Sequence, residues 1–428
     1  MPVPRSRLAG CGFAALTAAA MMAAATPPGR AQQAGTAPTS DEARCTGQAA
    51  ATPQEQAQAC AILLETGRYN RQNRAILFSN RGIAYGKAGD YARAIADFSE
   101  AIRANPSHLR AYVNRGNAQL AIRDFDGAIA SFDQAVRLDP RNLMGYMGRA
   151  TAYDGKGETE RAIADYGQAI KVDPNLSAAY FNRGLAHRRL GDFDRAIADY
   201  DQAIRLNPKD VAAYNNRGIA AADKGDRDRA MSDYDQAIRL DPNYALAYLN
   251  RGLLWQGKDD DRAIVDFDKA IALAPDSASA YNNRGTAWNT KGEFDRALAD
   301  FDKAIEHDPR NPNFYDNRGT VWRNKGRFDR AVDDYDKALA LAPNFARAFY
   351  NRAQAHYLAG RFQQALADAD KAAALNANSA AALSLRGLIR EKLGAREAAI
   401  ADLRQAAALD PTFQQPADAL QRMGVAAR

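Results

Sequence analysis

A 34-residue period runs through most of this chain and constrains its fold more than any other feature. Prolines mark the step, with one residue missing before Pro275 and alanine in one slot: Pro106, Pro140, Pro174, Pro208, Pro242, Pro275, Pro309, Pro343, Ala377 and Pro411. The missing residue falls within 257–261, where other units have a turn such as that at 224–227. A period of this size is typical of stacked supersecondary units, so the length of 428 residues does not set a number of globular domains.

The unit at residues 177–210 predicts two helices joined by a tight turn. Gly191 suits the left-handed residue that ends a helix, and Asp192 can cap the start of the next one. Pro208 cannot continue the second helix and ends it. Small residues allow close approach of the two helices and aromatic residues fill the gaps: Gly184, Ala196, Ala203, Tyr180 and Tyr200. Such a helix pair cannot bury its apolar face alone, so neighbouring units must stack.

A helix–turn–helix of this length, with glycine, aromatic, alanine and proline at these offsets, resembles the tetratricopeptide repeat over residues 75–413. The resemblance implies an all-α fold, a right-handed superhelical solenoid of ten helix–turn–helix units. It also implies that the first helices line a concave groove, that the second helices form the convex back, and that the protein binds extended segments of other proteins.

An asparagine recurs on the first helix of eight units: Asn80, Asn114, Asn182, Asn216, Asn250, Asn283, Asn317 and Asn351. In the family, this side of the helix lines the groove, so the eight amides form the predicted peptide-binding row. The alternative is that they bond only to neighbouring repeats. Carboxylate-clamp co-chaperone domains have asparagine in the slot of Asn80 and Asn114, but the flanking basic positions are mostly apolar or small here, with Arg110 and Arg347 as exceptions.

An arginine follows this position in all ten units, where the family usually has leucine: Arg81, Arg115, Arg149, Arg183, Arg217, Arg251, Arg284, Arg318, Arg352 and Arg386. Its helical spacing places it on the face that packs inside the unit. An aspartate recurs on the second helix: Asp97, Asp165, Asp199, Asp233, Asp266, Asp300, Asp334, Asp368 and Asp402, with Ser131 in the second unit. We interpret these residues as structural pairs. A basic ladder for a ligand is the alternative.

The predicted groove changes character along the chain. Its first half is apolar, with Val113, Met147, Phe181, Leu185, Leu249 and Leu253. Its second half is polar, with Asn282, Thr286, Asn289, Asp316, Thr320, Arg323 and Asn324. This gradient indicates a ligand with an apolar end and a polar end.

The N-terminus has the pattern of an export signal, which we place at residues 1–31. Arg5 and Arg7 precede an apolar stretch at 8–25, and small residues with possible cleavage points follow. An uncleaved membrane anchor is the alternative. We predict that the mature protein is periplasmic or secreted and has no membrane insertion of its own.

Residues 32–74 are predicted to hold a flexible leader and a capping helix at 54–67, and residues 414–428 a second capping helix, within 417–423. Cys45 and Cys60 are the two cysteines of the mature chain. In an oxidising compartment, such a pair predicts one disulfide. A zinc site would need four ligands, and the four histidines lie far from both cysteines.

Charge and motifs narrow the function. Arg5, Arg7 and Arg30 supply three of the six formal positive charges, so the mature chain is close to neutral and nucleic-acid binding is not expected. Phosphate-binding loops, nucleophile elbows and metal-ligand clusters are missing from the sequence, so we predict no cofactor, no metal site and no enzymatic activity. The leading interpretation is an adaptor with a protein or peptide ligand. The alternatives are a structural component of a cell-envelope assembly and a non-catalytic helper of a separate enzyme.

Overall fold

The computed structural model describes residues 40–426 of the chain, and all of the regular secondary structure in that range is helical. The predicted signal peptide and most of the predicted flexible leader lie outside the described residues. The 23 helices are α1 (Ser40–Cys45), α2 (Pro53–Glu65), α3 (Arg71–Lys87), α4 (Tyr91–Ala104), α5 (Leu109–Ala121), α6 (Phe125–Leu138), α7 (Leu143–Lys156), α8 (Thr159–Val172), α9 (Ser177–Arg189), α10 (Phe193–Leu206), α11 (Val211–Lys224), α12 (Arg227–Leu240), α13 (Ala245–Trp255), α14 (Asp260–Leu273), α15 (Ala278–Thr290), α16 (Phe294–His307), α17 (Pro312–Asn324), α18 (Phe328–Leu341), α19 (Ala346–Leu358), α20 (Phe362–Leu375), α21 (Ala380–Lys392), α22 (Arg396–Leu409) and α23 (Gln414–Arg422).

These helices form two compact units, residues 40–240 with α1 to α12 and residues 241–426 with α13 to α23. From α3 to α22, each odd-numbered helix packs most extensively against the even-numbered helix that follows it. Within each unit, that pair packs in turn against the next odd-numbered helix, and several odd-numbered helices also contact one another directly, as α17 and α19 do. The predicted all-α class is therefore confirmed.

The pair α9–α10 shows why this sequence folds into helical hairpins. Gly191 has φ of +78°, and the side chain of Asp192 accepts a hydrogen bond from the backbone N–H of Arg195, as the sequence predicts for a stop followed by a cap. A Cβ atom on Gly184 would lie 2.9 Å from the ring of Tyr200, which is fully buried. Only glycine therefore allows the aromatic ring to fill the space between the two helices at this distance.

The pair α13–α14 accommodates the missing residue by shortening its first helix, since α13 has 11 residues where the corresponding helix α9 has 13. Helix α13 ends at Trp255, and the carbonyl of Trp255 accepts hydrogen bonds from the backbone N–H groups of Lys258 and Asp259. Asp259 then caps α14 through the N–H of Arg262. The Gln256 side chain, displaced from a helical position, donates a hydrogen bond of 2.9 Å to the backbone carbonyl of Asn283 in α15.

At the N-terminal end, a disulfide joins Cys45 in α1 to Cys60 in α2, with the two Cα atoms 4.9 Å apart. Helix α1 begins at Ser40, where the predicted flexible leader ends, in a stretch for which the sequence analysis predicts no helix. It is held by its disulfide and by the hydroxyl of Tyr69, which donates a 2.6 Å hydrogen bond to Glu42. Burial, together with this bond to a carboxylate, raises the pKa of Tyr69 to about 12.

The last helix, α23, begins three residues before the predicted 417–423, because Pro416 is accommodated within its first turn. Its Leu420 is fully buried and packs in one cluster with Leu403 of α22 and Leu388 of α21. Across the described part of the chain, no helix combines the length and apolar character that crossing a bilayer requires.

Candidate functional site

The predicted asparagine row lies mostly inside the protein. Side chains of six of its eight members are buried, with exposures of 0–9%: Asn80, Asn114, Asn216, Asn250, Asn283 and Asn351. Asn182 and Asn317 are partly exposed. A ligand on the first helices would therefore meet few of these amides directly, and most of them face neighbouring helices instead.

Members of the row donate hydrogen bonds both within their own helix and to a neighbouring first helix. In the first unit, the Asn216 side chain donates back to the carbonyl of Ala212 within its own helix, at 2.9 Å. In the second unit, the bonds pass between first helices: Asn317 donates to Asn282 at 2.8 Å, and Asn351 donates to Asp316 at 2.9 Å. Contacts to neighbouring repeats, the alternative left open by the sequence, are thus present in the second unit.

The arginine of each 34-residue repeat binds the second helix of the same repeat, as the sequence predicts. In nine repeats, Nε and Nη2 donate to the two carboxylate oxygens of the expected aspartate at 2.5–2.9 Å. Arg115 instead donates to the hydroxyl of Ser131 at 3.0 Å. The two parallel bonds match the planar fork of a guanidinium, which lysine could not reproduce.

A second carboxylate, not identified from the sequence, binds the same guanidinium from the preceding unit. This second aspartate lies on the second helix of the preceding repeat, two residues after the position that binds that repeat's own arginine. Its carboxylate pairs with Nη1 in six cases: Arg149–Asp133, Arg217–Asp201, Arg284–Asp268, Arg318–Asp302, Arg352–Asp336 and Arg386–Asp370. The repeated Asp-x-Asp on the second helices was the available signal. Each of these arginines therefore connects its own helix pair to the pair before it.

The arginines also lie over the aromatic residue one turn earlier on their own helix. Arg217 is 5.3 Å from the ring centroid of Tyr214, and eight other units repeat this contact at 5.6–5.8 Å. With their donors bonded to carboxylates and one face against a ring, these side chains are structural. The ligand-binding ladder considered from the sequence would need free donors.

Burial and pairing act in opposite directions on the pKa values of these aspartates. For Asp233 and Asp300, burial raises the pKa, and the hydrogen bonds from Arg217 and Arg284 oppose it. The same bonds raise the pKa of Arg284, outweighing the effect of its burial. The guanidinium thus offsets part of the effect of burial, which on balance leaves the pKa of both aspartates raised.

The apolar half of the predicted groove is largely filled by the protein itself. Four of its six side chains are 4–6% exposed: Val113, Met147, Phe181 and Leu249. Three of them pack in clusters that include an alanine of the next helix pair: Val113 with Ala152, Met147 with Ala179, and Leu249 with Ala287. Only Leu185 and Leu253 remain partly exposed. The predicted apolar half therefore presents only two of its six residues at the surface, and a ligand with an apolar end remains a prediction.

The polar half, by contrast, reaches the surface. Side chains on α15, α17 and α19 form two hydrogen-bonded groups joined by the ion pair between Arg347 and Asp316, which together we call the polar network: Asn282, Asn283, Asp316, Asn317, Arg323, Arg347, Tyr350, Asn351 and Gln354. Five of these nine are partly exposed in addition to Asn317: Asn282, Arg323, Arg347, Tyr350 and Gln354. Asn324 is exposed nearby and donates to Asn289 at 3.1 Å.

Asp316 is the one carboxylate of the polar network and is 1% exposed. It lies 2.8 Å from Nε of Arg347 and accepts from Asn351. Burial raises the pKa of Asp316, while the positive charges of Arg347 and Arg323 act to lower it. The pair holds α17 against α19, and the sequence analysis placed Asp316 on this surface without identifying its partner.

Two further observations limit the chemistry. No group of three or more histidine, cysteine, aspartate or glutamate side chains within residues 40–426 is arranged to hold a metal ion. His187 and His356 are buried beside Asp199 and Asp368, each 3.9 Å away, and burial lowers the pKa of both imidazoles.

Models of the tetratricopeptide repeat match the chain at residues 80–142, 147–211, 181–245, 215–277, 278–311 and 380–413, and a TPR repeat model matches residues 319–360. No curated protein matches the sequence. Among solved structures, the Cut9 and Hcn1 hetero-tetramer of the APC/C is similar in fold, with a TM-score of 0.51 at 15% identity over 90% of this chain and 84% of that one. MamA, with a TM-score of 0.38 and 26% identity, covers 40% of this chain and 94% of its own. YrrB, described as a TPR protein with an unusual peptide-binding site, has a TM-score of 0.37 and 26% identity. The match covers 43% of this chain and 95% of YrrB.

Proposed function

Because this chain belongs to the tetratricopeptide-repeat family and is a protein-interaction scaffold, we propose that it binds an extended segment of a partner protein along its first helices. The observation that carries this proposal is the polar network on α15, α17 and α19. There, consecutive first helices contact one another and leave hydrogen-bonding groups at the surface, whereas Val113, Met147 and Phe181 on first helices of the unit at residues 40–240 are buried.

An extended peptide suits such a surface because its backbone presents a donor and an acceptor at every residue. The donors that the polar network leaves at its surface, on Arg323, Tyr350 and Gln354, can bind the backbone carbonyls of such a segment without demanding one side-chain sequence. The spacing of helices one repeat apart then sets which residues of the segment are held.

The domain plan that accompanies this proposal follows the sequence: a signal peptide at 1–31, a leader and capping helix with the cysteine pair at 32–74, ten repeats at 75–413 and a C-terminal cap at 414–428. The disulfide between Cys45 and Cys60 fits an oxidising compartment. We therefore place the mature protein in the periplasm or outside the cell, as a non-catalytic adaptor.

Site-specific photo-crosslinking tests where the partner binds. A photoreactive phenylalanine analogue replaces Asn324, which is exposed beside the polar network, and in a matched protein it replaces Val265 on α14, whose exposure is 66%. Both proteins are expressed with the predicted signal peptide intact, and the cells are then irradiated. Mass spectrometry then identifies the crosslinked peptides.

We expect an adduct from position 324 that maps to one short segment of one protein and is missing from position 265. An adduct from position 265 alone would support the structural-assembly alternative, with contacts through the second helices. Alanine at Asn216 or Asn250 is a poor test of binding, because both side chains are 0% exposed and their loss would act on stability first.

A further inference from the structure

The polar network has a fixed direction of hydrogen bonding. Arg323 and Arg347 can only donate, so the amide atoms that face them must be oxygens: Asn317 Oδ1 at Arg347, and Asn351 Oδ1 and Gln354 Oε1 at Arg323. The nitrogens of these amides then point the other way, to Asn282, Asp316 and Tyr350.

This arrangement uses the acceptors of the network internally. The two oxygens of Asp316 face Arg347 and Asn351, and the Tyr350 hydroxyl accepts from Gln354 at 2.8 Å. What remains for a ligand is mainly donors: the second N–H of Gln354, the O–H of Tyr350, and Nε and Nη2 of Arg323, which make no hydrogen bond to the described residues. The surface therefore favours a ligand that supplies acceptors.

The charge of the network points the same way. It contains two guanidinium groups and one carboxylate, and Arg347 lies against that carboxylate. No described carboxylate lies within 4.0 Å of Arg323, whose Nη1 contacts only the neutral oxygens of Asn351 and Gln354. Every repeat arginine of the neighbouring units, such as Arg318, binds at least one aspartate. Arg323 is thus a partly exposed cation that contacts no described carboxylate, because the carboxylate of the network, Asp316, pairs with Arg347 instead.

We propose that Arg323, with Gln354 and Tyr350, binds the side-chain carboxylate of an aspartate or glutamate in the bound segment. The inference rests on the proposed function and adds that the partner's segment is acidic. A guanidinium that is already oriented by two amide oxygens loses little freedom when it meets a carboxylate, and the bonds formed are charge-assisted.

The test uses two synthetic octapeptides, both acetylated and amidated, with alternating glutamate and serine in one and glutamine and serine in the other. Fluorescein-labelled peptides are titrated with the full mature chain, and anisotropy gives the affinity. We expect the glutamate peptide to bind at least about ten-fold more tightly, which is the size of one charge-assisted hydrogen bond in a partly solvated site. Raising the salt concentration should reduce this preference.

Arg323→Gln should remove the preference, and Arg323→Lys should keep part of it. The matched control is Arg310→Gln, because Arg310 is an exposed arginine in the turn before α17. Circular dichroism confirms that each variant is folded. A glutamine peptide with a free C-terminal carboxylate distinguishes a terminal carboxylate from a side-chain one, and it should bind no better than its amidated form.

Equal binding of the two amidated peptides by the folded protein, or a preference that survives Arg323→Gln, would overturn the acidic-segment inference. So would the lack of detectable binding of the glutamate peptide at millimolar concentration. Crosslinking from position 324 to a neutral segment would leave the proposed function standing while this inference fails.

Discussion

Arg318 allows the two kinds of aspartate to be compared on a single guanidinium. It binds Asp334 of its own helix pair and Asp302 of the preceding pair, each at 2.6 Å from an Nη atom. The side chain of Asp334 is 4% exposed, and that of Asp302 is 62% exposed. Asp334→Asn and Asp302→Asn therefore each remove one negative charge from the same partner, and they differ in burial and in the number of hydrogen bonds from Arg318, two for Asp334 and one for Asp302.

The burial sets the expected loss of stability. Breaking a buried ion pair costs about 3–5 kcal/mol, but Arg318 remains 17% exposed and keeps Asp302 and the ring of Tyr315, so we expect about 2 kcal/mol for Asp334→Asn. An exposed pair contributes less than about 1 kcal/mol, so Asp302→Asn should cost about 0.5 kcal/mol.

The three tryptophans of the chain, Trp255, Trp288 and Trp322, all lie in the unit at residues 241–426. Urea denaturation followed by their fluorescence thus reports this unit. Repeat arrays need not unfold in two states, so hydrogen exchange of peptides from residues 312–341 should accompany it. A cost for Asp302→Asn equal to that for Asp334→Asn, or a cost below about 0.5 kcal/mol for Asp334→Asn, would refute the argument from burial.

Three further predictions concern packing, the disulfide and pH. Gly184→Ala places a methyl group 2.9 Å from the Tyr200 ring. It should lower the free energy of unfolding by about 1–3 kcal/mol and, with it, the midpoint of thermal unfolding. An unchanged midpoint would mean that the two helices can move apart without loss of stability. Reducing Cys45–Cys60 should destabilise α1 and α2 by about 3 kcal/mol and speed hydrogen exchange at residues 40–65, whereas unchanged exchange would show that packing alone holds α1. Because burial lowers the pKa of His187, the unfolded chain takes up its proton first, so stability should fall as the pH drops from about 7 to about 5. His187→Gln should reduce this slope in urea denaturation, and an identical slope would contradict the reasoning.

The fold could be predicted because its determinants are local and repeated. The turn at Gly191 and Asp192 and the contact between Gly184 and Tyr200 follow from residue type and spacing within one unit. The bond between an arginine and the aspartate 16 residues later, such as Arg318 and Asp334, is also internal to a unit, so helical periodicity was sufficient to find it.

The candidate site was harder to predict because it depends on the spacing between units. Periodicity placed Asn250 and Leu249 on the first helix, but it could not distinguish a face that meets a ligand from one that meets the next helix. The carboxylate of Asp302 was missed for the same reason, since its partner Arg318 lies in the following unit. The structure gives the spacing between neighbouring repeats. It thereby shows which amides are buried and which belong to the partly exposed polar network.

These arginines bind carboxylates that precede them in the sequence, so the two partners of each ion pair are synthesised in a fixed order. Asp133 precedes Arg149 in the sequence by 16 residues and lies on the second helix of the pair before it. During synthesis from the N-terminus, the helix pair that carries Asp133 is complete before Arg149 leaves the ribosome. Of each such pair, the carboxylate is therefore the first partner to emerge, and this order favours docking of each new helix pair on the one before it.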